Sequence, residues 1–566
     1  MDPNTEEEVN RALSLIAELD LPHPSGALLT SFVNGALHPV AAARYVNDRV
    51  SSGDVQSLVS DWIYIVESVT NGRIPPPPDA TEQLEIRARD GNRCCITGKT
   101  GTARDPLIVV PVLPVPSGWV ADNPRIFEML GVFFSPPYRD WWLSYVRAPE
   151  RMLHYYSHWL VQKSAAQAFA QGLVKLERQQ PSMIEYKVEF VHIGPEKPIE
   201  IKGPYPLLGD HSRAGILTVD ARFIGTQARL ARSIRYVEIA KSIAPQILPR
   251  KPGELVLPAM NARKPSSGHS LQWAWLSPLF GHVKSLINFI GRGFVSSLRI
   301  LPRSARSITY DALRKLGEMI YGRDDPSLFV QRLPFELFLK YRGTANLARN
   351  EFNALRMVQQ RTCIPAPKPF DVIPNGDDSY LLTTRLPGVP LWLCQEVLSD
   401  ADCDAIVTQL KDYLSQLRDI PQTVNPEAPI CNTLGEACRD HRIRGGDPIG
   451  PFADEAAFSQ CLRFPDEPSR RGHKIVFTHA DLNPRNILVD QVARPDGTTG
   501  WRVTGIVDWE TAGFYPEYWD YTKALFEGFR WKPRYIKMVH RVFEEFGDYS
   551  RELDVEKRSW EAGDGI

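Results

Sequence analysis

Three side chains near the end of the sequence have the chemistry to hold a divalent cation and receive a proton. Asp481 and Asn486 stand in FTHADLNPRNILVD, Phe477 to Asp490. Asp508 ends an apolar strand-like run, Gly505-Ile506-Val507, in TGIVDWETAGFYPEYWDY. Asp, Asn and Pro in one short stretch also make ordinary turns, so the first segment alone decides nothing. Two strand-loop segments that each present an acid point further. Asn486 and Asp508 offer the hard oxygen ligands that magnesium prefers. Asp481 is then left to orient an acceptor hydroxyl and take its proton, worth about 100-fold or more in rate. Phosphoryl transfer needs this set, together with a lysine for the nucleotide phosphates, because it depends on positioning and charge neutralisation more than on covalent help.

The elements that must position these groups are legible upstream. FVQRLPFELFLKY (Phe329 to Tyr341) has the β-branched and aromatic content of one strand and carries Lys340. NEFNALRMVQQ (Asn350 to Gln360) has Glu351, Ala354, Leu355 and Val358 at helical spacing. SYLLTTRLPGVPL then reads as an apolar strand running into a Pro/Gly turn. Lysine on a strand, glutamate on the next helix and a hinge-like strand is the order in which kinase-type folds hold nucleotide.

With HADLNPRN and IVDWE, this order resembles the aminoglycoside phosphotransferase family, whose fold is similar to that of protein kinases. The resemblance covers residues 311–560 and implies a bilobal, protein-kinase-like fold. It implies that Lys340 contacts phosphates of ATP or GTP and Glu351 pairs with it. Thr383, Thr384, Arg385 and Leu386 would form the adenine hinge, Asp481 the catalytic acid/base, and Asn486 and Asp508 the Mg2+ site. His479 and Asp520 read as structural props. Three departures bear on the acceptor and the phosphates. No GxGxxG precedes Lys340, with only Gly322 nearby, and Asn483 stands where protein kinases carry a lysine two residues after the catalytic aspartate. The chain also passes from Asp508 to FYPEYWDYTKALFEGF without an activation segment, which favours a small-molecule acceptor over a protein. A helical insertion around CNTLGEACRDHRIRGGDPIGPF (Cys431 to Phe452) would meet that acceptor, or its charges are a solvated loop.

The rest of the chain reads as α+β and multidomain, as 566 residues exceed one core. Residues 1–78 are helical, with Leu13, Ile16 and Leu19, then Val55, Leu58, Trp62 and Ile65 in register, and IPPPPD (Ile74 to Asp79) ends the block. Residues 80–245 open with IRARDGNRCCITGKTG and continue to HWLVQKSAAQAFAQGLVKLE. They resemble His-Asn-His nuclease-like domains, but Ala166, Ala170 and Ile108 stand where the base, acid and strand histidine belong, so the resemblance implies a degenerate scaffold. Residues 246–310 form a Pro/Gly/Ser-rich linker and a basic amphipathic segment, where Leu279, Val283, Leu286, Ile290, Phe294 and Leu298 keep helical spacing. Seven basic residues face one acid between 281 and 315. Residues 279–306 could touch an anionic membrane surface or pack on a neighbour.

Lys plus Arg (66) balance Asp plus Glu (67), which gives no strong nucleic-acid signal. The start, MDPNTEEEVNRALSL, lacks the basic and apolar parts of a secretory signal, and no apolar run has transmembrane length. Eight cysteines, six of them beyond residue 360, fit reduced thiols. The expected compartment is cytoplasmic. The leading expectation is a phosphotransferase using ATP (or GTP) and Mg2+ on a small-molecule hydroxyl. The alternatives are a pseudokinase scaffold and a nucleic-acid enzyme acting through the nuclease-like region.

Overall fold

In a computed structural model, the described residues are 3–116, 123–248 and 298–566, plus Gly293, without positions 181, 183, 197–198, 202–207, 323–328, 342, 376–377, 495–496, 527 and 564–565. The linker and most of the basic segment expected to touch a membrane therefore lie outside them. Contacts divide the chain into two units, Met1–Lys264 and Pro265–Ile566. No helix among the described residues is long and apolar enough to cross a membrane.

The first unit begins with α1 (Pro3–Glu18), α2 (Ser25–Gly35), α3 (Pro39–Ser51) and α4 (Val55–Thr70). The helical spacing of Leu58, Trp62 and Ile65 buries all three, and Trp62 packs on Phe32 and Phe133. The prolines then interrupt the helices until Asp79 caps α5 (Ala80–Arg89) in a reciprocal capping box with Glu82. Next come β1 (Leu107–Pro111), α6 (Pro124–Phe134), α7 (Pro136–Arg147), α8 (His154–Ser157), β2 (His158–Gln162) and α9 (Lys163–Ala170). The hairpin β3 (Val174–Arg178) and β4 (Tyr186–Phe190) and the long helix α10 (Ala221–Ile243) follow.

Trp62 Nε1 donates to Ser233 Oγ at 3.1 Å, and Ser31 and Ser233 hydroxyls pair at 2.7 Å. The expected boundary near residue 79 thus divides sequence blocks whose helices share one core. Strands β1 and β2 pair antiparallel, Ile108 opposite Val161, and α9 follows β2 directly. The Arg-Asp of IRARDG is structural. Buried Arg89 holds Asp90 through two hydrogen bonds and donates to the carbonyls of Tyr155, His158 and Leu217, while Asp90 accepts the Leu160 amide.

In the second unit the described residues include α11 (Arg303–Tyr321) and a four-stranded antiparallel sheet in the order β5-β6-β8-β7. These are β5 (Val330–Leu333), β6 (Leu337–Tyr341), β7 (Pro369–Asn375) and β8 (Asp378–Thr384), with α12 (Ala345–Arg361) between β6 and β7. The run expected to be one strand is instead a hairpin. Its turn falls after Pro334, where Phe335 and Glu336 adopt positive φ of 66° and 54°. Arg385 steadies that turn, its amide donating to the Glu336 carbonyl and its guanidinium pairing with the Glu336 carboxylate. Among the described basic residues upstream, Arg306 pairs with Asp371 at 2.6 Å and Arg314 with Glu318 at 2.7 Å.

The larger lobe holds β9 (Val389–Pro390), α13 (Leu391–Cys394), α14 (Asp400–Arg418), β10 (Cys431–Asn432), α15 (Glu455–Ser459), β11 (Ile475–Thr478), β12 (Ile487–Ala493), β13 (Thr499–Ile506) and β14 (Gly513–Pro516). Helices α16 (Trp519–Phe526), α17 (Pro533–Phe543) and α18 (Ser550–Glu561) close it. Its core runs from Leu355 and Val358 of α12 through Leu410 and Leu414 to Trp509, Phe514 and Trp519. The segment Cys431–Phe452 is not the expected helical insertion. Gly445, Gly446 and Gly450 all take positive φ there, and the bridges Ile430 to Phe452 and Cys438 to Ile449 fold it as a loop.

One titration in this lobe bears on stability. His473 lies between Glu455 (2.6 Å) and Glu552 (3.7 Å), with its side chain 13% exposed. Burial pulls the imidazole down, but the two carboxylates outweigh it and push its pKa up to about 9. A histidine raised on folding adds stability that is complete below its unfolded value of about 6.5. That stability is lost as pH rises through about 9. Thermal midpoints should therefore fall between neutral pH and that value, with a shallower fall in His473→Gln; equal slopes for both proteins would contradict the pairing.

Candidate active site

Lys340 sits on β6 opposite Val330 and Leu381, in the middle of the small sheet. Its Nζ reaches Glu351 at 2.9 Å, Asp508 at 2.6 Å and Glu510 at 2.5 Å. Burial works against the ammonium, yet Asp508, Glu351 and Glu510 together hold its pKa well above the ordinary range. Glu351 is on the inward face of α12 with Ala354, Leu355 and Val358. Burial raises its carboxyl despite Lys340. Asp508 is lowered, because the pull of Lys340 exceeds the cost of burial. Asn350, one residue before Glu351, ties α12 to the segment after Asp508 by donating to the carbonyls of Glu510 and Ala512.

The loop that carries Asp481 and Asn486 is fixed from behind. Asp520 of α16 accepts the amides of His479 (3.3 Å) and Ala480 (2.8 Å). This holds Ala480 at φ 60°, a left-handed conformation that a non-glycine residue rarely adopts without such support. His479 Nε2 donates to the Val507 carbonyl at 3.0 Å, and its Nδ1 accepts the Asp481 amide. Burial lowers its pKa, which suits this neutral bridging role. The Val507 amide in turn donates to the Asn486 carbonyl. Two hydrogen bonds thereby join the segment of Asp481 and Asn486 to the one carrying Asp508, itself at φ 68°.

Asn486 Nδ2 donates to both the Asp481 carbonyl and Asp481 Oδ2, each at 2.9 Å. With the amide nitrogen turned to Asp481, Asn486 Oδ1 is the atom left for a cation. Burial raises Asp481 to about 6, against the attraction of Lys523. The other Asp481 oxygen faces Lys523 Nζ at 3.8 Å.

Of the four residues expected to form the hinge, Thr383 and Thr384 belong to β8, and the amides of Thr384 and Arg385 are taken by the carbonyls of Lys368 and Glu336. Leu386 follows them and packs against Gly505. A Cβ at Gly505 would lie 2.6 Å from Leu386 Cδ1, so this glycine permits the close approach between Leu386 and the strand leading to Asp508.

Glu510, beside Lys340, and Lys523, 3.8 Å from Asp481, join this cluster without having been expected from the sequence. The signal for Glu510 was its place two residues after Asp508; Lys523 lies 42 positions beyond Asp481 in sequence and gave none. Asp440 and Arg442 prove neither solvated nor substrate-facing. Arg442 is fully buried between Asp440 (2.9 Å) and Glu556 (2.7 Å).

A cation fits the donor set. Carboxylate oxygens of Glu351, Asp508 and Glu510 lie within 4.8 Å of one another, and a lysine ammonium already sits among them.

Residues 324–553 match the phosphotransferase enzyme family, APH. Over that stretch the C-terminal region is similar to this family of phosphotransferases. Solved structures similar to it include aminoglycoside phosphotransferase APH(4)-Ia, at 15% identity over 40% of this chain and 76% of that one, TM-score 0.27. Another is an aminoglycoside-3'-phosphotransferase of type VIII, at 18% identity over 43% of this chain and 97% of that one, TM-score 0.28. A third is a putative fructosamine-3-kinase from Haemophilus somnus 129PT, at 14% identity, 40% and 74% coverage and TM-score 0.25. No curated protein matches the sequence.

A nucleotide-phosphate contact, the role expected of Lys340, would be worth about 1.5–3 kcal/mol and would be lost in Lys340→Ala. Mg-ATP should accordingly bind that variant roughly 10- to 100-fold more weakly by calorimetry. Unchanged affinity would place the lysine outside the nucleotide site.

Proposed function

We propose that residues 311–560 form a phosphotransferase that moves a phosphoryl group from ATP (or GTP) to a hydroxyl of a small molecule. The observation that carries this reading is the pair of hydrogen bonds joining the Asp481–Asn486 loop to Asp508 through Val507. Lys340, held by Glu351, would release its contacts with Asp508 and Glu510 to meet nucleotide phosphates. Thr383, Thr384, Arg385 and Leu386 would line the adenine. Asp508 and Asn486, with Glu510 beside them, would hold Mg2+, which when bound neutralises phosphate charge. Asp481 would orient the acceptor hydroxyl and accept its proton. Its raised pKa makes it a stronger base than an exposed carboxylate.

A small acceptor is favoured by the chain's path. After Asp508 it enters β14, which pairs with β10 and β11 within a few residues and leaves no long segment to receive a peptide. Thermal denaturation of the full chain with Mg-ATP and Mg-GTP tests the reading. Saturating nucleotide at 100 times its dissociation constant should add about 2.7 kcal/mol. No shift with either would favour the scaffold alternative.

For residues 80–245 we propose a degenerate nuclease-like scaffold. The antiparallel β1–β2 pair followed by α9 supports it, with Ile108 on β1 and Ala166 and Ala170 on α9. None of these side chains can ligate metal or activate water. The full chain should leave supercoiled plasmid intact with Mg2+ or Mn2+; metal-dependent nicking would overturn this.

A further inference from the structure

A lysine outside the catalytic loop stands beside Asp481. Lys523 is on α16, three residues after Asp520, so one helical turn presents Asp520 to the loop backbone and Lys523 to the Asp481 carboxylate. Its side chain is 11% exposed, and its Nζ donates to Asp440 Oδ1 at 3.2 Å. Asp440 is itself buried and held by several donors. It accepts the Arg442 amide and guanidinium and the indole N–H of Trp519, and Arg442 is anchored again on Glu556. The lysine is therefore tethered at one end to a buried ionic framework.

The distances divide its roles. At 3.2 Å from Asp440 the ammonium makes a hydrogen bond, whereas 3.8 Å to Asp481 Oδ1 is beyond that range. It attracts the carboxylate without consuming the lone pair that a hydroxyl would use. Asp481 Oδ2 is occupied by Asn486, so Oδ1 is the oxygen left for the acceptor. Within the catalytic loop, Asn483 brings no charge to this position; its side chain bonds the Asp481 carbonyl and the Arg485 amide.

We propose that Lys523 is a positioning residue for phosphoryl transfer, a largely buried cation supplied from α16 that fixes Asp481 Oδ1 toward the acceptor hydroxyl. The proposal rests on the phosphotransferase reading above, and the test separates the two. Mg-ATP hydrolysis, with water as the acceptor, is measured for the full chain, for Lys523→Met and for Lys523→Arg, together with calorimetric Mg-ATP affinity and thermal midpoint. The wild-type chain must turn over; if it does not, the phosphotransferase reading fails and the role of Lys523 with it. Given turnover, Lys523→Met should lower kcat by about 10-fold or more while KM for ATP and the calorimetric affinity stay near wild type. Lys523→Arg should recover part of the loss. A kcat for Lys523→Met equal to wild type overturns the proposal. So does a loss shared equally by both variants and accompanied by a lower midpoint, which is the signature of a purely structural lysine.

Discussion

Asp508→Asn is expected to cut ATP turnover by about three orders of magnitude and to remove the magnesium-dependent part of nucleotide binding. The carboxylate lies 2.6 Å from Lys340 and shares a 4.8 Å cluster with Glu351 and Glu510, so on the proposed reading cation and phosphate charge would balance there. The amide keeps the volume but removes the anion. Lys340 would still have Glu351 and Glu510 as partners, which should keep the variant folded. Steady-state hydrolysis and a midpoint close to wild type are the readouts; turnover within a few-fold of wild type would show that Asp508 holds no metal.

Asp481→Asn should separate chemistry from binding. Its carboxylate contacts Asn486 and Lys523 and makes no contact with Lys340. Losing the charge should lower transfer by about 100-fold or more, the usual contribution of a general base, with nucleotide affinity close to wild type. Weakened affinity with unchanged turnover would exchange the roles assigned to the two acids.

The site was legible where chemistry and local spacing coincide. Lys340 and Glu351 are eleven positions apart, and the strand-then-helix order together with the family resemblance led to the expectation that they pair, as they do. Asp481 and Asp508 drew attention because each follows an apolar strand, and Asn486 because it stands five residues after Asp481 in the same run. Glu510 was passed over although it stands in the same IVDWE run. Lys523 and the Asp440–Arg442–Glu556 triad were not legible at all. Arg442 and Glu556 are 114 positions apart, and charges of both signs in a Gly/Pro-rich loop do not reveal whether they are buried. The β5–β6 hairpin was read as one strand because its apolar content is continuous and its turn uses Phe335 and Glu336, neither a usual turn residue. In the first unit, helical spacing gave α4, but the partnership of Trp62 with Ser233 joins segments 171 positions apart.

Calorimetric titration of Mg-ATP into Asp508→Asn and Asp481→Asn side by side tests the central claim most directly. If Asp508 holds the metal and Asp481 faces only the acceptor, the first variant should show no magnesium-dependent binding and the second should bind like wild type. Binding of both at wild-type affinity would contradict the account, because neither acid would then touch the nucleotide's metal.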